Sequence, residues 1–137
     1  MKKIIVIDGQ GGRIGRMFVE ALKKSEHSLH IIAFGTNSIA TSTMLKAGAD
    51  EGATGENPIL YNAGDADIII GPIGIVIANA LLGEITPAIA TAISSSDAKK
   101  ILIPISKCNS MVIGVEELPM SEYINRAIKV VQRMCEE

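Results

Sequence analysis

A glycine-rich stretch near the N-terminus, VIDGQGGRIG at residues 6–15, has the residue types and spacing to bind a phosphate. The dinucleotide fingerprint is G-x-G-x-x-G between a strand and a helix. Here its frame falls on Gln10, Gly12 and Gly15, with glutamine in the first position. Gly12 is expected to let the backbone approach a phosphate, and Gly15 to let the helix pack closely on the strand. The helix N-terminus then attracts the anion; the alternative is a turn that is merely tight. The candidate ligand residues of this loop are Gly9, Gln10, Gly11, Gly12, Arg13 and Ile14.

A second candidate loop follows the second predicted strand. An NAD site places Asp or Glu there to hold the ribose 2′-hydroxyl, but the sequence reads GTNS at 35–38, with no acid. Hydroxyl and amide donors at a helix start can take a phosphate, and Arg13 could add charge, so the pattern favours NADP over NAD, or a ligand that is not a dinucleotide. The equally weighted alternative is that Ser38 only caps its helix. The candidate residues are Gly35, Thr36, Asn37 and Ser38.

Two further loops are expected at the same edge of the sheet, where open α/β folds bind ligands. GPIG at 71–74 follows a buried strand and offers Gly71, Pro72 and Gly74. Its alternative interpretation is purely structural, because Pro72 can start a helix while the glycines ease the turn. SKCNS at 106–110 follows the next strand, and its Lys107 could meet a phosphate.

Catalytic chemistry is hardly indicated. The G-x-S-x-G, H-E-x-x-H and Walker A motifs are absent, as is a Tyr-x-x-x-Lys pair. Weak candidates are Cys108, whose thiol has a basic neighbour in Lys107, together with Asn109 and Asp8. Asp8 directly follows the first strand and either orients a ligand or caps the loop. The sequence leaves open whether the protein is an enzyme and predicts no metal site. A solvated acidic loop is the preferred interpretation of Asp50, Glu51 and Glu56.

Composition and charge bound the class of protein. The 137 residues fit one domain, and 47% are hydrophobic but only 3% aromatic, which suits a parallel sheet buried on both faces. A net charge of −2 argues against nucleic-acid binding. The uncharged run at 68–83 is too short for a membrane span and is broken by Gly71-Pro72. The first apolar run ends at Asp8, too soon for a signal peptide, so we expect a cytoplasmic protein.

Strand and helix patterns alternate along the chain without a linker or repeat. They predict a single Rossmann-like nucleotide-binding domain over 1–137, a three-layer α/β/α fold with a mostly parallel sheet. Thr86 is predicted to cap a helix that Pro87 begins. Strands are expected at 3–7, 30–34, 67–71, 100–105 and 111–115, with any strand within 48–57 short. Helices are expected at about 12–25, 38–47, 57–63, 73–82, 87–93 and from 121 onward.

Four stretches carry a resemblance to a known family: VIDGQGGRIG, GTNSIATSTMLKAGADEGATGEN, ADIIIGPIGIVIANALLGEITPAIA and AKKILIPISKCN. They resemble the uncharacterised bacterial domain of unknown function 3842 family over nearly the whole chain, and the resemblance implies no activity. The N-terminus is similar to Rossmann NAD(P)-binding domains. At the level of fold alone, GPIG through AKKILIP resembles phospholactate-transferase-like proteins.

The leading hypothesis is a small cytoplasmic protein that binds a nucleotide or dinucleotide, NADP favoured, at the carboxyl edge of its sheet, with no reaction assigned. The rival is a non-catalytic ligand sensor or oligomeric assembly subunit that binds a phosphorylated small molecule. A homo-oligomer, with a dimer as the expected form, is predicted from IGIVIANALL at 73–82, because a helix apolar on every side has surplus surface to bury. The alternative is that the helix at ITPAIATAI and the C-terminal helix cover it within one chain.

Overall fold

Five parallel strands form the centre of the protein. A computed structural model describes residues 2–25, 28–105 and 110–137. The sheet order is β3-β2-β1-β4-β5, so the chain builds outward from β1 and then returns to its other side. This doubly wound α/β arrangement is the predicted fold class, and it places a crevice beyond the carboxyl ends of β1 and β4. The strands are β1 (Ile4–Asp8), β2 (Ile31–Gly35), β3 (Glu51–Thr54), β4 (Ile68–Pro72) and β5 (Lys99–Ile103).

Helices cover both faces of this sheet and complete three layers. Successive side chains of a strand point to opposite faces, and both faces of β1 are buried: Ile4 and Val6 pack in the cluster formed with α1, α2 and α5, whereas Ile5 and Ile7 pack with α3 and α4. Burial on both sides explains the continuous apolar runs of the inner strands. The helices are α1 (Arg13–Ser25), α2 (Ser38–Lys46), α3 (Glu56–Ala63), α4 (Pro87–Ser95) and α5 (Met120–Glu136).

The expected helix at 73–82 is wrong. A short 3₁₀ helix spans Ile73–Val76, and turns follow up to residue 85. Asn79, Leu81 and Leu82 adopt left-handed backbone conformations that an α-helix does not contain. The apolar side chains of this segment are divided between inside and outside, with Ile75 buried and Leu82 exposed. Periodicity failed here because length and apolarity alone do not distinguish a helix from a buried crossing segment.

The same segment no longer supports the sequence argument for an oligomer. Ile75 and Ala80 lie in one core cluster with Ile89 and Ile93 of α4, and Val76 packs against that cluster. The chain's own α4 therefore covers much of the apolar run, as the intramolecular alternative expected of that helix, whereas the buried face of the C-terminal helix packs in the other core cluster.

The expected strand at 111–115 is also wrong. These residues are in turn and irregular backbone and are exposed; Ile113 is 90% exposed. Their β-branched composition indicates a strand, but a strand also needs a neighbour with which to pair. In the described part of the chain the sheet ends at β5.

No helix in the described ranges is long and apolar enough to cross a membrane.

Thr86 caps α4 as predicted, since its side-chain oxygen accepts a hydrogen bond from the Ile89 N–H and Pro87 is the first helical residue. We expect Thr86→Ala to lower the free energy of unfolding by about 0.5–2 kcal/mol, because the Ile89 N–H loses its side-chain hydrogen-bond partner. Urea denaturation measures the change. The matched control is Thr91→Ala on the exposed side of the same helix, expected to change stability by less than about 0.5 kcal/mol. Equal losses in both variants would contradict the capping role.

Candidate functional site

The glycine loop that joins β1 to α1 is closed by the carboxylate of Asp8. One carboxylate oxygen accepts a hydrogen bond from the Gly9 N–H at 2.8 Å, and the other accepts one from the Gly15 N–H at 2.7 Å. The Gly12 N–H donates to the Gly9 carbonyl at 2.9 Å, which forms the tight turn. Asp8 thus neutralises part of the α1 N-terminus itself. Of the two roles expected for Asp8, capping the loop is the one that these bonds show.

Gln10 and Gly12 give this loop its unusual backbone. Gln10 has φ of 48° and Gly12 has φ of 74°, so the glutamine in the first fingerprint position is itself left-handed. A Cβ at Gly12 would lie 2.8 Å from the Cα of Ala40, so α2 fills the space expected to admit a phosphate. Gly15 behaves as expected: a Cβ there would lie 3.0 Å from Asp8 Cβ, so it allows close packing of α1 on β1.

Glu84 ties the glycine loop to the loop after β2. Its Oε1 accepts hydrogen bonds from the Gln10 N–H at 2.9 Å, the Thr36 hydroxyl at 2.6 Å and the Asn37 amide at 2.8 Å. The same Asn37 amide donates to the Gln10 carbonyl at 2.9 Å. The hydroxyl and amide that we expected to hold a ligand phosphate are therefore bound to a carboxylate of the chain itself. A 2′-phosphate of NADP could use them only in place of Glu84.

The two carboxylates at the loop have opposite pKa shifts. Burial raises the pKa of Asp8 above its ordinary value, although the N–H groups of Gly15, Gly9 and Ile14 act against the rise. Burial also acts to raise the pKa of Glu84, but hydrogen bonds from Thr36, Gln10 and Asn37 outweigh it and hold that pKa low. Glu84 is thus the carboxylate held as an anion.

A cavity of about 260 Å³ opens beside the glycine loop. It lies in the crevice between β1 and β4, where ligands of open α/β folds bind. Its wall contains the glycine loop from Gly9 to Ile14, the last residue of β4, Pro72, and Gly74 of the 3₁₀ helix that follows; Arg13 is exposed. The remaining wall is mainly apolar. The lining residues are Asp8, Gly9, Gln10, Gly11, Gly12, Arg13, Ile14, Pro72, Gly74, Leu81, Ile105 and Met120.

The structure brings some of the expected ligand residues together and separates others. The six candidates of the glycine loop share the cavity with Pro72 and Gly74. Gly71 does not line it, because its position packs against the Ile7 carbonyl. Gly35 packs against Thr41, and Ser38 is exposed as the first residue of α2. The helix cap is Asn37 rather than Ser38, since Asn37 Oδ1 accepts from the Ala40 N–H at 2.9 Å.

Two of the three catalytic candidates, Cys108 and Asn109, lie outside the described residues, as does Lys107. In the predicted acidic loop, Asp50 pairs with Lys23 at 2.6 Å and Glu51 with His30 at 2.6 Å. Across residues 2–25, 28–105 and 110–137, no group of three or more His, Cys, Asp or Glu side chains could hold a metal.

Sequence reasoning missed Glu84, which contacts both loops that it singled out. The sequence has no Asp or Glu directly after β2, where an NAD site has one. In the folded protein the carboxylate of Glu84, 47 residues after Asn37, lies at that loop instead. The only signal in the sequence was one acid, Glu84, closing an otherwise uncharged run from 68 to 83. Leu81, Ile105 and Met120, which complete the apolar wall, were missed as well.

Comparison with known proteins identifies the family. The model of the family described as a domain of unknown function (DUF3842) matches residues 3–136, so the chain belongs to that family. A search of curated proteins found no match. Among solved structures, the chain is similar to a dodecameric FMN-dependent UbiX-like decarboxylase from Escherichia coli O157:H7. The two share 19% identity at a TM-score of 0.47, over 98% of this chain and 76% of the other.

Asp8→Asn tests the closed loop. The amide keeps one acceptor where the carboxylate has two, so we expect the free energy of unfolding to fall by about 1–3 kcal/mol. A raised pKa means that the folded state holds the Asp8 proton more tightly than the unfolded state. The free energy of unfolding of the wild type therefore falls as pH rises from about 4 through the raised pKa of Asp8. The difference in this free energy between the wild type and Asp8→Asn narrows over the same pH range.

Urea denaturation at a series of pH values measures this difference. Asp97→Asn, at an exposed aspartate, serves as the control and is expected to leave stability nearly unchanged. A difference between wild type and Asp8→Asn that widens with rising pH would contradict the raised pKa.

Proposed function

We propose that this member of the domain of unknown function 3842 family binds a nucleotide at the carboxyl edge of its sheet, in the cavity between the glycine loop and the loop after β4. The observation that carries the proposal is the position of that cavity. It lies at the point where the strand order reverses, and six consecutive residues from Gly9 to Ile14 line it. Both features are those of ligand sites in doubly wound folds.

The phosphate end of the ligand is assigned to Gly11 and Arg13. A Cβ at Gly11 would meet nothing within 4 Å, so the backbone there is open to a ligand. Arg13 is exposed at the first turn of α1, where its guanidinium and the positive end of the helix attract the same anion. The N–H groups of Gly9, Gln10 and Gly12 already bond to Asp8, Glu84 and the Gly9 carbonyl, respectively. The open side at Gly11 is the part left for a phosphate.

A base or sugar ring is assigned to the apolar part of the cavity. The apolar contact there comes from flat or flexible side chains, those of Ile14, Pro72, Leu81, Ile105 and Met120. A volume of about 260 Å³ is slightly below the roughly 300–1,000 Å³ typical of small-molecule sites. It therefore suits one ring with its sugar rather than a whole dinucleotide.

NADP is the nucleotide that the sequence favours, but its 2′-phosphate could reach Thr36 and Asn37 only if Glu84 moved. Thr36 and Asn37 donate to Glu84 Oε1, and a carboxylate repels a neighbouring phosphate. While Glu84 is in place, a nucleotide with no phosphate on that side is the better ligand. The cytoplasmic location expected from the sequence remains part of the proposal.

The alternative function is an oligomeric assembly subunit or ligand sensor that catalyses no reaction. The observation that favours it is the exposed apolar surface at 111–115, where Met111 is 88% and Ile113 is 90% exposed. Contiguous exposed apolar residues mark interaction sites in many proteins. This surface replaces the segment at 73–82 as the region assigned to a homo-oligomer, with a dimer as the simplest closed form.

Thermal denaturation with a panel of phosphates tests nucleotide binding. The panel holds AMP, ADP, NAD, NADP, FMN, a nucleotide sugar and inorganic phosphate. A ligand at about 100 times its dissociation constant should stabilise the protein by about 2.7 kcal/mol. We expect Arg13→Ala to weaken the best ligand by about 10- to 100-fold, because it removes a charge-assisted hydrogen bond.

Arg16→Ala is the matched control for Arg13→Ala. Arg16 lies one turn along α1 and pairs with Glu20 at 3.6 Å, away from the cavity. Its removal should leave ligand affinity unchanged. Absence of any stabilisation at millimolar ligand, or equal losses in both arginine variants, would contradict the site.

Light scattering coupled to gel filtration tests the assembly. We expect the wild type to have a multiple of the 14.5 kDa chain mass and Ile113→Glu to have the mass of one chain, because a charge in an apolar interface is costly. Tyr61→Glu on α3, where Tyr61 is 83% exposed, is the control and should keep the wild-type mass. A wild type with the mass of one chain at tens of micromolar would overturn the assembly.

A further inference from the structure

The segment from residue 77 to residue 85, which we call the strap, packs against the glycine loop at Gly9 and places Glu84 where it bonds to that loop and to the loop after β2. It begins after the 3₁₀ helix Ile73–Val76 and ends at Ile85, which is fully buried before the cap of α4. The strap is therefore anchored at both ends.

The middle of the strap has an unusual backbone that its own hydrogen bonds hold, among them Asn79 N–H to the Ile85 carbonyl at 2.7 Å and Gly83 N–H to the Asn79 carbonyl at 3.0 Å. Asn79, Leu81 and Leu82 all have positive φ, at 66°, 57° and 57°, which is unfavourable for residues with a side chain beyond Cβ. Leu82 is 97% exposed, so it contributes no burial to offset that conformation. Besides these backbone bonds and the buried Ala80, the tip of the strap is held by the bonds of Glu84 and by the contact of Leu81 with Gly9.

The group to which Glu84 binds is a set of donors suited to an oxyanion. A backbone N–H, a hydroxyl and a side-chain amide, from Gln10, Thr36 and Asn37, converge on the single atom Oε1 at 2.6–2.9 Å. Hydrogen-bond donors of this kind bind phosphate oxygens as readily as carboxylate oxygens. The donors lie beside Gly9, at the start of the loop to which the proposed function assigns a phosphate.

We propose that the Gln10, Thr36 and Asn37 donors form a second phosphate subsite and that Glu84 on the strap occupies it as an internal competitor. The inference rests on the proposed function, because Gln10, whose N–H is one of the three donors, also lines the proposed cavity and directly precedes Gly11. A ligand with one phosphate binds with the strap closed. A ligand with a second phosphate, such as a pyrophosphate or a 2′-phosphate, binds fully only by displacing Glu84. The strap thereby selects ligands by their number of phosphates.

Pyrophosphate binding by Glu84 variants, measured by isothermal titration calorimetry, tests this subsite. Glu84→Ala leaves the three donors free, so we expect it to bind pyrophosphate about 10- to 100-fold more tightly than the wild type, the range covered by a charge-assisted hydrogen bond. Glu84→Gln can place its carbonyl oxygen where Oε1 lies and keep all three bonds without the charge. It should give a smaller gain and is the variant that retains the fold if Glu84→Ala does not.

Glu56→Ala controls for the loss of one negative charge, since Glu56 is exposed at the start of α3 and should leave pyrophosphate affinity unchanged. A second readout is amide hydrogen exchange in the wild type. Displacement of Glu84 by pyrophosphate should speed exchange of the Gly83 and Glu84 N–H groups, which bond to Asn79 and Leu81 within the strap.

The outcomes separate this inference from the proposed function. Tighter pyrophosphate binding by the Glu84 variants, absent from Glu56→Ala, supports the subsite. A wild type that binds nucleotides through Arg13, together with Glu84 variants that gain no affinity, overturns the subsite and leaves the proposed function standing. Binding of no phosphate compound by any variant contradicts both.

Discussion

The buried carboxylate of Asp8 is the interaction on which the geometry of this site depends. It accepts hydrogen bonds from the N–H groups of Gly9 and Gly15, seven residues apart in sequence, and so fixes the start and end of the glycine loop. An isolated buried carboxylate is costly, and these bonds offset part of that cost. The fixed loop sets the direction in which α1 leaves β1. It also forms one wall of the cavity, and α2 and the strap pack against it.

Close packing around the loop leaves little room on two of its sides. Ala40 of α2 lies against Gly12, and Leu81 and Glu84 of the strap lie against Gly9. In both places a side chain beyond hydrogen would collide with a neighbour. The glycines therefore serve the packing of the chain on itself as much as the approach of a ligand, and only the side at Gly11 stays open. This division explains why a glycine-rich loop by itself is weak evidence for a dinucleotide.

The site contains two acidic side chains with different electrostatics. Burial favours the neutral form of Asp8, whereas hydrogen bonds hold Glu84 as an anion. Asp8 and Glu84 interact with each other, and that repulsion contributes to the raised pKa of Asp8. The donors on Glu84 stabilise its charge and connect three separate segments of the chain through one oxygen atom. The edge of the sheet thus has an internal anion on the β2 side and an exposed arginine, Arg13, on the side of the cavity.

The sequence by itself determined the α/β class, the order of most elements, the N-cap of α4 at Thr86 and the meeting of the glycine loop with the GPIG loop at one edge. These features follow from local rules: burial of apolar runs, side-chain capping, and the rule that parallel strands end together. Tertiary structure decided the rest. Residues 73–82 look helical by length and apolarity, yet they form a 3₁₀ turn and the first part of the strap, whose apolar side chains pack on α4 and whose end is tied by Glu84. That Glu84 would meet Thr36 and Asn37 depends on contacts across 47 or more residues, which no local pattern encodes.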